Sequence, residues 1–200
     1  IFLIGFVVLT ICMIGISANL GDAKISLGNV ANIILGKIFA RPDMYSELPQ
    51  GIVAIVWDIR LPRILTGVFV GAGLSISGAV FQSLLMNALA DPYTIGISTG
   101  AALGASLSIF MGGILGIAFI PILPAAFIGA ILTLLLVFAI ANRSRGLSSA
   151  NLIIAGIIVS SIMSAGISFL KNAAGEEVGA IVFWLMGSLA SRTWEHVYVI

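Results

Sequence analysis

In the stretch Asp58–Ile64, "DIRLPRI", two arginines stand three residues apart with Pro62 between them. They adjoin a run, Ile64–Ala90, that carries no Lys, Arg, Asp or Glu. A guanidinium group is always charged and presents a rigid planar fork of N–H donors that matches a carboxylate bidentately. Two uses fit Arg60 and Arg63: capture of an anionic partner at the rim of an apolar segment, or interfacial anchoring, with the stems along apolar surface and the charged heads in water. Pro62 is expected to fix the backbone where the helix begins.

The other polar groups within apolar runs are few. Ser160, Ser161, Ser164 and Ser168 fall within nine residues of the uncharged run Gly146–Leu170. Their hydroxyls either bond to the carbonyl four residues back or line a wet path, and periodicity does not choose between these. Gln82 is expected to bond across to a neighbouring helix. Cys12 and His196 each stand alone, so no disulfide framework and no metal site is expected. There is no G-x-x-x-x-G-K-[ST], H-E-x-x-H or G-x-S-x-G sequence and no pair of acids within a span. The expectation is a chain that is not an enzyme and binds no cofactor. A net charge of +1 gives no footing for nucleic acid.

The elements that carry these residues are set by composition. Only 8% of the 200 residues are charged and 60% are hydrophobic, with a mean hydropathy of +1.21, whereas a soluble domain averages about 25% charged residues. The charge-free runs Ile1–Gly21, Ile64–Ala90, Pro92–Asn142 and Gly146–Leu170 are each long enough to cross a bilayer, which takes roughly 20 apolar residues. Pro121 and Pro124 mark a turn in the longest run. The pattern predicts an all-α polytopic bundle with about five complete spans and the start of a sixth. Span 1 covers Ile1 to about Ala18, span 2 Ile64 to about Met86, span 3 Thr94 to about Ile117, span 4 about Ile122 to Ala141, and span 5 Ala150 to Leu170. Span 6 begins near Val197. The polar segment Asn19–Arg63 holds a short helix in "LGNVANIILGKIF", and "AIVFWLMGSLA" suits the interface.

Small residues recur every four positions: Gly67, Gly71, Ser75, Ala79 and Ser83 in span 2; Gly96, Gly100, Gly104, Ser108, Gly112 and Gly116 in span 3; Gly156, Ser160, Ser164 and Ser168 in span 5. Such rows let membrane helices approach closely, so spans 2, 3 and 5 are expected to be central and tightly packed.

The stretch "RLPRILTGVFVGAGLSISGAVFQSLLMNALADPYTIGISTGAALGAS" resembles the signature region of the FecCD/BtuC-type permeases, the membrane subunits of ABC importers for iron–siderophore complexes, haem and cobalamin. "NLIIAGIIVSSIMSA" and "FWLMGSLASRTWEHV" are similar to the family's fifth span and to the short helix and turn before its sixth. The family's N-P-L-A-[DE]-P reads "NALADP" here, with Ala88 in place of the first proline, which should loosen that turn slightly. Asp91 and Pro92 are expected to start span 3.

The resemblance implies a BtuC-like permease domain of a type II ABC importer, a ten-span subunit of which residues 1–200 are a fragment, about the first two thirds. It further implies a multi-pass place in the cytoplasmic membrane, a pathway between two copies of the permease, two ATP-binding cassette subunits that use the ATP, and an extracytoplasmic substrate-binding protein. By resemblance, Arg60 and Arg63 dock that binding protein. Asn87 and Leu89, with Ser148 and Ser149, form the cytoplasmic gate, and the span-5 serines Ser160, Ser161, Ser164 and Ser168 face the pathway. The segment that receives the ATPase stroke falls beyond Ile200.

The family's orientation conflicts with a count of basic residues. It leaves Arg143 and Arg145 inside and puts Lys24, Lys37, Arg41, Arg60, Arg63, Lys171 and Arg192 outside, against the positive-inside rule. The expected function is import of an iron complex or cobalamin. The alternative is an energy-independent channel or membrane scaffold.

Overall fold

The computed structural model describes residues 2–21, 23–115, 121–143 and 147–200. The expected turn before Pro121, Gly116 of the span-3 row, and Arg145 of the inner loop lie outside the described residues. The described secondary structure is helical throughout. In chain order the helices are α1 (Phe2–Asn19), α2 (Leu27–Ile38), α3 (Gln50–Leu84), α4 (Ile97–Leu115), α5 (Ile122–Arg143), α6 (Ser149–Ala173), α7 (Val178–Met186) and α8 (Trp194–Val199). Short 3-10 turns occupy Pro42–Met44 and Gly175–Glu177. Among the described residues, α3, α5 and α6 are long and apolar enough to cross a membrane, at 35, 22 and 25 residues. Helices α1 and α4 are shorter, at 18 and 19 residues.

Two compact units divide the chain, one of Ile1–Ala72 with Ser188–Ile200 and one of Gly73–Gly187. In the first, the helix expected from "LGNVANIILGKIF" is α2. The Ser26 hydroxyl caps it by accepting the Asn29 N–H at 3.2 Å, satisfying one of the orphan donors of the first turn. Val30, Ile33 and Gly36 form its buried face. They close a core with Ala18, Ile25 and Val56, edged by Tyr45, Leu48, Ile52 and Trp57. The Lys37 Nζ lies 5.6 Å from the Tyr45 ring centre and 5.9 Å from that of Trp57, a cation–π arrangement. Trp57 in turn meets Trp194 of α8 at 4.9 Å between ring centres.

The second unit is held by close helix approach. A Cβ added at Gly104 would strike the Ala125 carbonyl, one at Gly129 the Gly100 carbonyl, and one at Gly100 the Thr133 hydroxyl. Glycine at these positions lets α4 and α5 touch backbone to backbone. Gly156 of α6 lies against Ile95, where a Cβ would stand 2.7 Å from the Ile95 Cα. Leu85, Ala90 and Ile95 of the connection before α4 share one buried cluster with Val137 and Ala141 of α5 and Leu152, Ala155 and Val159 of α6.

Three expectations change. The helix assigned to span 2 begins at Gln50, after Pro49, rather than at Ile64. Span 3 becomes helical at Ile97 rather than Thr94, because Gly96 takes a left-handed φ of +79° that separates the preceding turns from the helix. The small-residue rows also differ in what they do. Those of α4 and α6 pack in part, but Gly71, Ser75, Ala79 and Ser83 of α3 are not buried within this chain.

Candidate functional site

The arginine pair sits inside a continuous helix. Proline supplies no N–H for the Asp58 carbonyl, and in a regular α-helix its ring would collide with that carbonyl. The backbone answers by widening: Ile55–Arg60 is π-helical, and the Leu61 N–H donates to the Val56 carbonyl five residues back. A π-turn adds a residue to the helix and re-aims the side chains around it. Pro62 therefore acts mid-helix, not at a helix start.

Arg60, half-buried, donates from its Nη1 to the carbonyls of Ala18 at 2.8 Å and Asn19 at 3.2 Å, and from its Nη2 to that of Ala23 at 2.8 Å. Ala18 and Asn19 end α1, whose last carbonyls have no partner within the helix and carry the negative end of its dipole. Gly21, at φ +151°, covers the guanidinium so closely that a Cβ there would stand 2.5 Å from Arg60 Nη2. Arg63 is exposed and, among the described residues, donates one bond, from Nη2 to the Ala190 carbonyl at 2.8 Å. Both arginines line a cavity of about 350 Å³ with Ser17, Leu20, Gly21, Ala23, Ile55, Ile59 and Ile64. Neither forms an ion pair among the described residues, where the acid–base contact is Arg41 with Asp43 at 3.6 Å.

At the other end of α3 the chain makes a stitched turn. Leu89 N–H donates to Asn87 Oδ1 at 2.9 Å. Asp91 Oδ1 accepts from the Thr94 N–H and hydroxyl, each at 2.8 Å, so Asp91 caps its own turn and not α4. Gln82, expected to reach a neighbouring helix, instead donates its amide to the Ala88 carbonyl at 3.0 Å. That bond holds the turn at the position where the proline is missing. Leu89 is 90% and Met86 89% exposed, while Leu85 and Ala90 on either side are buried in the cluster that includes Leu152. The Ser148 hydroxyl caps α6 by accepting the Asn151 N–H at 3.2 Å, and Ser149 is the first residue of that helix. The structure thus brings the loop bearing Asn87 and Leu89 to the same end of the second unit as Ser148 and Ser149.

The four serines of α6 separate. Ser160 is half-buried and lies directly over Gly96, where a Cβ would collide with its hydroxyl. Ser161, Ser164 and Ser168 are exposed and fall on one face at the i, i+3, i+7 helical spacing. The Ser161 hydroxyl donates to the Ile157 carbonyl at 2.8 Å. Of the glycines expected to pack, Gly96, Gly100 and Gly104 do so. A Cβ at Gly67 would stand an ordinary 3.5 Å from Leu189, and one at Gly71 would meet nothing within 4 Å beyond its own helix among the described residues.

The family model of the FecCD transport family matches residues 8–200. The chain belongs to the FecCD transport family. It is similar to the cobalamin import system permease protein of Halobacterium salinarum, at 40% identity over 75% of this chain and 40% of that one. It is similar also to the molybdate import system permease protein of Haemophilus influenzae, at 34% identity over 96% of this chain and 55% of the other. A solved transporter taken to be of the metal-chelate ABC type, in an inward-facing conformation, superposes with a TM-score of 0.77. It is 32% identical, over 98% of this chain and 56% of its own. This FecCD chain therefore spans about half the length of the curated relatives it matches. It is a multi-pass protein of the cell membrane.

The motif residues of the FecCD chain are visible in its sequence, but their partners are not. The acceptors of Arg60 are backbone carbonyls some forty residues away, and a carbonyl has no residue type to read. Gly21 does carry a signal, a glycine directly after an apolar helix, where left-handed backbone is common. The contact between Trp57 and Trp194 lies outside what spacing reveals.

Proposed function

We propose that the protein is the membrane-spanning permease subunit of a binding-protein-dependent ABC importer, working as two copies around a shared pathway. Two separate ATP-binding cassette subunits hydrolyse the ATP, and this chain supplies no ATPase site and holds no cofactor. The observation that carries the reading is the family match across residues 8–200. The cargo is a chelated metal, an iron complex or cobalamin. Similarity to a cobalamin and to a molybdate permease supports a family that fixes the mechanism more than the cargo.

The site residues take these roles on that reading. Arg63, exposed and with a single bond among the described residues, offers its remaining N–H donors to a carboxylate of the binding protein, and Arg60 stands beside it in the same cavity. Asn87, Leu89, Ser148 and Ser149 form the inner gate. The exposed face of Ser161, Ser164 and Ser168 borders the pathway, with Ser160 supporting it from behind.

The test is uptake by the full-length permease, reconstituted into proteoliposomes with the ATPase and binding protein encoded beside it. Radiolabelled ferric chelate, cobalamin and molybdate are offered in parallel. Uptake of the iron complex or cobalamin that needs both ATP and the binding protein is the expected result. Uptake that needs neither would make the protein a channel, and selective uptake of molybdate would replace the cargo class.

A further inference from the structure

We infer that the two arginines of the R-L-P-R stretch have different jobs: Arg60 is a positioning residue that clamps the end of α1 onto the π-turn, and Arg63 alone carries charge to the incoming binding protein. The second half rests on the docking role proposed above. The first half stands on this chain's own geometry.

Arg60 and Arg63 are three residues apart, so on a helix their side chains would lie near one another, and two parallel guanidinium groups repel. The structure separates them. The Arg60 fork is turned onto Ala18, Asn19 and Ala23, where orphan carbonyls and the negative end of the α1 dipole favour a cation. Both hydrogens of its Nη1 and one of its Nη2 are used by these three bonds, and Gly21 covers the group. A carboxylate arriving from outside would have to break that set before reaching the fork. Among the described residues Arg63 makes one bond, to Ala190, which leaves four of its five N–H donors unused there, and it is exposed. Gly21 is part of the device, because any side chain there would displace the Arg60 guanidinium.

The clamp predicts a local opening when it is lost. Ala18 is fully buried, so the thiol introduced by Ala18→Cys, in a Cys12→Ser background of the full-length permease in native membranes, is protected from maleimide. Arg60→Ala and Arg60→Lys should each raise its labelling rate at least tenfold, since an ammonium lacks the fork that spans three acceptors. Gly21→Ala should do the same with both charges retained. Gly21→Ala combined with Arg60→Ala should be no more reactive than either alone, the signature of two residues serving one contact.

Affinity for the binding protein is measured over a range of salt on the same variants. Arg63→Ala should flatten the salt dependence and weaken binding on the order of tenfold, as expected for a rim charge, with the thiol at position 18 still protected. Arg60→Lys should leave the salt dependence as in the parent. Unchanged labelling at position 18 in Gly21→Ala and Arg60→Lys would overturn the clamp. So would an Arg60→Ala variant that flattens the salt dependence as far as Arg63→Ala does while position 18 stays protected. A parent permease that binds no binding protein would end the docking role, and the labelling would still decide the clamp.

Discussion

At the residue scale, members of one small-residue row differ in what the neighbouring helix brings against them. The every-fourth rows were legible because small side chains at that spacing have one common purpose in membrane helices. Which members of a row are used was not, because that depends on the neighbouring helix. Gly104 faces the Ala125 carbonyl and Gly100 the Thr133 side chain, while Gly112 of the same row has open space around it. Gly104→Ala should destabilise the purified full-length protein by about 1–3 kcal/mol, the usual cost of forcing atoms into a packed contact. Gly28→Ala, in helical α2 with nothing near its built Cβ, should instead stabilise by up to about 1 kcal/mol. Thermal unfolding of the two variants in one detergent separates the cases, and equal shifts would contradict the close approach of α4 to α5.

At the element scale, periodicity located α2, α5, α6 and α7 to within a few residues, since their apolar runs are bounded by polar or turn-forming residues. It failed at the start of α3. The sequence "PQGIVAIVWDIRLPR" carries acid, bases and an internal proline, so it reads as an extramembrane segment ending at a helix start. The chain instead keeps the helix by inserting a π-turn ahead of Pro62. Pro62→Ala restores an N–H for the Asp58 carbonyl and removes the reason for widening. The expected result is relaxation of the turn and weaker seating of Arg60, read as faster labelling of the Ala18→Cys thiol. Labelling as slow as in the parent would mean that the turn persists without the proline. On α6, position relative to the helix face decides the outcome of substitution. Ser160→Leu should cost about 1–3 kcal/mol through collision with Gly96, whereas Ser164→Leu should leave stability unchanged and reduce uptake. Loss of stability in Ser164→Leu would show that its face is packed rather than lining a path.

At the scale of the whole molecule, sidedness decides which groups a partner can reach. Along the chain, α3, α4, α5 and α6 alternate direction if each crosses the bilayer. On the orientation that the family resemblance implies, the segments around Arg60, Lys171 and Arg192 are outside with most of the basic residues, and the connection before α6 is inside. The positive-inside rule counts Lys and Arg in short loops near the ends of the spans, and five of these seven have local partners among the described residues. Arg60 caps α1, Arg63 holds Ala190, Lys37 lies against Tyr45 and Trp57, Arg41 pairs with Asp43, and the Arg192 guanidinium reaches the Ser188 carbonyl at 3.4 Å. Those local roles are the same whichever side faces the cytoplasm. Cysteine labelling in intact cells decides which side that is, in a Cys12→Ser background. Ser46 and Leu147 are exposed and serve as reporters. A membrane-impermeant thiol reagent should label Ser46→Cys directly and Leu147→Cys only after permeabilisation. The reverse pattern would make the charge count the better guide, put Arg63 in the cytoplasm, and remove it from reach of any extracytoplasmic binding protein.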